Sequence, residues 1–137
     1  MYAFSCKYSK TNKIFLEMTL NNELPIYKAT YDLLLKTYQY VNNVPREVRY
    51  TLVETLKNQL TELLVLICRA NISKNKLPFL EEAKGKMLEI KIRFRLLHDM
   101  HYIDNRHYAL LSLNMESVSK QLTSWHSYFN NRQQPPR

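Results

Sequence analysis

A chain of 137 residues holds one domain with one core, and a composition of 45% hydrophobic and 23% charged residues is that of a folded protein rather than a disordered one. Its single glycine, Gly85, excludes the glycine-rich P-loop and dinucleotide-binding turns and argues for helices over sheets. Twenty Lys and Arg against twelve Asp and Glu give a formal charge of +8, a balance that favours polyanionic partners.

Residues 1–22 carry Lys7, Lys10 and Lys13 among scattered aromatics and lack sustained helical periodicity, so they read as an N-terminal extension. They show no charged leader followed by an apolar stretch. The longest hydrophobic run, residues 63–68, is far shorter than the ~20 residues a membrane helix needs. A cytoplasmic protein without membrane contact is expected.

A bundle is predicted over residues 23–130. The first helix, residues 25–42, opens on Pro25, a residue suited to a first helical turn. Ile26, Ala29, Leu33, Tyr40 and Val41 recur at spacings of three and four, and Tyr27, Tyr31, Leu34, Leu35 and Tyr38 widen that face. Lys28, Asp32, Lys36 and Gln39 mark the side left to water. Asn42-Asn43-Val44-Pro45 breaks the helix. The second helix follows with a stripe of Leu52, Leu56, Leu60, Leu63 and Ile67, ending near Asn71.

The third helix, residues 76–100, places Leu80, Ala83, Met87, Ile90, Phe94 and Leu97 on one side. Leu88, Ile92 and Leu96 form a second stripe on another face, which an isolated bundle would leave in water, so these three are the candidate oligomer interface. The fourth helix starts near Asp104, a candidate N-cap. It carries Leu111, Met115, Val118, Leu122, Trp125 and Phe129 at alternating spacings of four and three. Residues 131–137 read as a polar, flexible tail. The fold class is therefore all-α, an antiparallel up-down four-helix bundle.

Catalysis has no foothold. The Glu-x-x-His pairs of metal-binding bundles are absent, and no histidine is spaced to activate Cys6 or Cys68. His98 and His101, with Asp99, Asp104 and His107 nearby, are the one candidate metal cluster; histidines at a helix end more commonly cap carbonyls. The chain is expected to be no enzyme, with no catalytic residue, metal or cofactor.

The basic residues are concentrated. Residues 69–95 hold Arg69, Lys74, Lys76, Lys84, Lys86, Lys91, Arg93 and Arg95 against Glu81, Glu82 and Glu89, so a net +5 falls in about a fifth of the chain. These eight are the candidate nucleic-acid or partner-binding residues. Lys84, Lys91 and Arg95 share one stripe suited to phosphates. The alternative is a solvated face with Glu–Lys pairs such as Glu82–Lys86. Tyr2 and Tyr8, near lysines, could stack bases.

The stretch Leu24-Pro25-Ile26-Tyr27-Lys28-Ala29-Thr30-Tyr31-Asp32-Leu33-Leu34, with Val44-Pro45-Arg46-Glu47-Val48-Arg49-Tyr50-Thr51-Leu52, resembles the opening of four-helix bundle proteins related to ribosomal-RNA intervening-sequence proteins. Within that group it is most similar to the accessory variability determinant, Avd, of diversity-generating retroelements. Arg93-Phe94-Arg95-Leu96-Leu97-His98-Asp99 and Ser124-Trp125 extend the likeness over residues 23–129. The resemblance implies a ring-shaped homo-pentamer that binds RNA and DNA and the retroelement's reverse transcriptase, supporting mutagenic cDNA synthesis and retrohoming without chemistry of its own. A bundle of the intervening-sequence type, acting as a structural oligomer or protein-binding module without a polymerase partner, is the alternative.

Overall fold

A computed structural model describes residues 24–133; residues 1–23 and 134–137, with the N-terminal extension and its Tyr2 and Tyr8, lie outside the described residues. Four helices follow one another, and no strand occurs among the described residues. Helix α1 is Pro25–Tyr40. Helix α2 is a continuous rod made of an α turn, Arg46–Val48, a π-helical turn, Arg49–Val53, and a long α segment, Glu54–Ile72. Helix α3 is Leu77–Asp99 and α4 is Asn105–Gln133. The last helix thus runs into the segment expected to be tail.

Short connections make neighbours antiparallel, and the helices pack as a ring in the order α1, α2, α3, α4, leaving α1 diagonal to α3. The turns explain how a chain with one glycine manages this. At the end of α3 the N–H of His101 donates to the carbonyl of His98 and that of Tyr102 to Leu97, both at 2.9 Å, with His101 at φ 68°. That closes the helix as a Schellman motif with a histidine at the left-handed position where glycine is usual. Asp104 then caps α4, its Oδ1 accepting the backbone N–H of His107 at 2.7 Å. Asn43, also at positive φ (56°), turns the chain between α1 and α2.

The core contains every residue of the α3 stripe from Leu80 to Leu97, and Leu56, Leu60, Leu63 and Ile67 of α2. In α4 the seam is buried from Leu111 to Leu122, while Trp125 and Phe129 are half-buried at its end. Helix α1 departs from expectation. Ile26, Leu33 and Val41 are buried, but so are Thr30 and Thr37, whose hydroxyls donate back to the carbonyls of Ile26 and Leu33 at 2.8 and 2.7 Å and so enter the core without an unmet hydrogen bond. Tyr31, Leu35 and Tyr38, expected to widen the core face, are instead exposed. Lys36 and Asp32, expected in water, reach across to α4: the ammonium of Lys36 and the amide of Asn114 converge on Asp32, and Lys36 also donates to Asn114 at 2.7 Å.

Candidate nucleic-acid interface

Helix α3 presents its basic residues on two flanks because lysine and arginine positions alternate across its exposed arc. On the flank facing α2, Lys86 donates to Glu62 at 2.7 Å, and this hydrogen bond holds its ammonium above the ordinary lysine range. Arg93 donates through Nη1 to Gln59 at 2.9 Å, and Gln59 in turn donates to Glu89 at 2.9 Å. Gln59 is a buried polar residue whose hydrogen bonds join both partners on α3.

On the flank facing α4, Lys84 and Lys91 line a groove of ≈ 200 Å³ with Met87, Leu88, Ser119 and Thr123. Among the described residues no carboxylate engages either ammonium, and none lines the groove. Two cations over an apolar floor, with two hydroxyls opposite, form a surface on which phosphate oxygens find charge and hydrogen-bond donors together.

The other candidates fall into separate places. Arg95 is held by Asp99, both carboxylate oxygens accepting from its Nε at 3.1 Å, although its guanidinium is largely exposed. Lys76 is half-buried, and its ammonium closes the end of α2 by donating to the carbonyls of Ala70, Asn71 and Ser73 at 2.8, 2.8 and 2.9 Å. Burial pulls its pKa below the usual lysine value. Lys76 is thus engaged as a cap. Arg69 and Lys74 are exposed at the same end of the bundle.

Leu88, Ile92 and Leu96 stand out of α3 at 61%, 59% and 45% exposure. Ile92 and Leu96 border an open groove of ≈ 600 Å³ shared with Val48, Leu52 and Met100. A second exposed apolar face was missed by sequence reasoning. Tyr31 and Tyr38 lie along α1 toward α2, with the ammonium of Lys57 4.0 Å from the Tyr38 ring and Tyr27 stacked on Tyr31 at 6.2 Å. Three-and-four spacing gives the same signature whether a tyrosine packs inward or outward.

His98 and His107 are tied individually, and the His101 side chain is exposed. His98 stacks on Tyr108 at 4.2 Å and its Nε2 lies 2.7 Å from Asn105 Oδ1; His107 stacks on Tyr40 at 4.2 Å and pairs with Asp104. Among the described residues no group of three His, Cys, Asp or Glu side chains is arranged to hold a metal. Cys68 is half-buried, and burial pushes its thiol pKa up, away from the thiolate a nucleophile needs. No described helix is long and apolar enough to cross a membrane.

These features define an all-α four-helix bundle whose exposed chemistry is a basic groove and two apolar faces. Residues 24–129, well over half of the chain, match the bAvd-like family, and the chain belongs to it. The resemblance to Avd proteins carried by the Leu24 and Val44 stretches is thereby shown. No curated protein matches the sequence.

Proposed function

We propose that this chain is a cytoplasmic, non-catalytic accessory subunit of a diversity-generating retroelement. It binds RNA and DNA and the element's reverse transcriptase, and so supports mutagenic cDNA synthesis and retrohoming. The observation that carries the nucleic-acid half is the uncompensated pair Lys84 and Lys91 beside Ser119 and Thr123, on a chain of formal charge +8. Membership of the bAvd-like family supports the polymerase half. Arg69 and Lys74 add to the field; Lys76, Lys86 and Arg93 serve the bundle first, and Arg95 is paired with Asp99.

Assembly into a homo-pentameric ring is part of the same reading. A ring built from one chain needs two dissimilar faces that fit each other. The exposed aliphatic stripe Leu88, Ile92 and Leu96 on α3 and the exposed tyrosine face of α1, its diagonal neighbour, are dissimilar surfaces on which this reading places the contact. The exposed groove beside Ile92 also favours the second reading, a structural oligomer that docks protein alone.

Binding of a fluorescent RNA followed across a salt series, together with co-purification of the retroelement's reverse transcriptase, tests both halves. Affinity should fall linearly on a log–log scale with salt, and the polymerase should be retained. A salt-insensitive or absent RNA interaction together with no retention of the polymerase would favour the alternative, a structural oligomer without a polymerase partner. Ile92→Asp should reduce the particle to a single chain in sedimentation while helicity is kept; an unchanged mass would remove the α3 stripe from the interface.

A further inference from the structure

The face between α1 and α4 carries another surface, on the opposite flank of α4 from the lysine groove. An open slot of ≈ 350 Å³ has Leu24, Pro25 and Trp125 as its apolar floor and Lys120, Gln121 and Ser124 along its rim. Among the described residues no partner takes the Lys120 ammonium, the Ser124 hydroxyl or the indole N–H of Trp125, and no carboxylate lines the slot. One turn further along α4, Tyr128 is 51% exposed, with the Arg132 guanidinium 4.5 Å from its ring centroid. Phe129 meets Tyr128 edge-on at 4.9 Å.

The spacing puts Lys120, Ser124, Tyr128 and Arg132 on one helical face, four residues apart, with Trp125 beside them. From the first cation to the last the rise is about 18 Å. An apolar slot lined by Trp125, a second aromatic ring a turn away and a cation at each end form the combination that holds a single strand: bases against rings, phosphates against cations. A paired base is already stacked and has its edge engaged, so a duplex cannot enter such a slot without being opened.

We propose that the α1/α4 slot takes an unpaired base of single-stranded nucleic acid, with Trp125 and Tyr128 contacting bases and Lys120 and Arg132 holding the flanking phosphates. This rests on the nucleic-acid reading above and adds strand selectivity at a surface separate from Lys84 and Lys91. The two surfaces divide the work: the lysine groove meets backbone charge of either form, and the slot tells a single strand from a duplex.

Trp125 is the only tryptophan of the chain, so all tryptophan emission comes from this one position beside the slot. The full chain is titrated at low salt with an unstructured single-stranded RNA of about a dozen nucleotides and with the same sequence as a duplex. The single strand should change Trp125 emission saturably and the duplex should not. Tyr128→Ala and Lys120→Glu, both surface changes, should each weaken single-strand binding about tenfold and leave duplex binding within about twofold. Equal emission changes with both forms, or unaltered single-strand affinity in both variants with helicity intact, would overturn the slot. Binding of both forms that responds to Lys84→Glu/Lys91→Glu but never moves Trp125 overturns the slot and keeps the nucleic-acid reading. Binding of neither form sinks both. A purified protein ligand that alone moves Trp125 would assign the slot to protein instead.

Discussion

The two flanks of α3 carry the same kind of residue and end in opposite states. Toward α2, Lys86 meets Glu62 and Arg93 meets Gln59, whose amide also reaches Glu89. Toward α4, Lys84 and Lys91 share a groove with Ser119 and Thr123 and, among the described residues, with no acid. For these four cations the neighbouring helix decides which are available, whereas Arg95 is paired within α3 by Asp99. One flank has become a seam that fixes the register of α2 and α3. The other keeps its positive field for something outside the chain, because hydroxyls neither neutralise a lysine nor repel an anion.

The sharpest way to break this contrast is to reverse charge on each flank and read RNA affinity. Lys84→Glu/Lys91→Glu should weaken binding on the order of 100-fold at low salt and flatten the salt dependence by about two units of slope, roughly one for each lost phosphate contact. Lys86→Glu should change affinity far less, and its main effect should be on stability, since it sets a second acid against Glu62. Equal losses per reversed charge on both flanks would mean that binding follows net charge, with no interface localised on α3.

The seam itself is tested through Gln59. It is 8% exposed and holds Arg93 and Glu89 in one hydrogen-bonded chain between the two helices. Gln59→Ala removes both bonds and leaves two charged groups without their neutral bridge, at a cost of about 1–2 kcal/mol in urea denaturation. RNA affinity should stay within twofold, given that Arg93 faces the seam. A large affinity loss in a well-folded Gln59→Ala would show that Arg93 is held in place for a ligand.

How much of this was readable beforehand depended on whether one helix or two decided the outcome. The α3 core stripe, the outward stripe Leu88, Ile92 and Leu96, and the Asp104 cap each belong to a single segment, where periodicity or a local side chain is the whole signal. Thr30 and Thr37 were not legible as core, because their burial depends on hydroxyls turned back onto their own helix. Tyr31 and Tyr38 looked like core for the converse reason. Among the eight basic candidates, the sequence showed concentration and could not show pairing. Lys76 closes α2, whose carbonyls lie three to six residues upstream, and Lys86 finds Glu62 from a different helix. The slot at Trp125 was invisible on the same ground: it exists only where the start of α1 lies beside the end of α4.

The α1/α4 seam offers the smallest and most discriminating change. The hydrogen bond from Lys36 to Asp32 holds the Asp32 carboxyl below its ordinary pKa, partly offset by burial and reinforced by the Asn114 amide. A folded-state pKa depressed in this way contributes stability above the unfolded value of about 3.9, and the contribution disappears as pH falls through the folded value. Asp32 is 49% exposed, so screening limits the effect, and Asp32→Asn should cost under about 1 kcal/mol at pH 7. The difference from the parent chain should close in urea denaturation as pH falls through the depressed folded-state value; a difference that persisted below it would assign the contact to packing rather than charge. The same variant removes the counter-charge of Lys36 and so adds one uncompensated cation on a face away from Lys84 and Lys91. If the lysine groove is the docking surface, RNA affinity should rise by no more than about twofold at low salt. A rise as large as the effect of restoring Lys84 would place binding in the field of the whole bundle, and the distinction between the two flanks of α3 would lose its functional meaning.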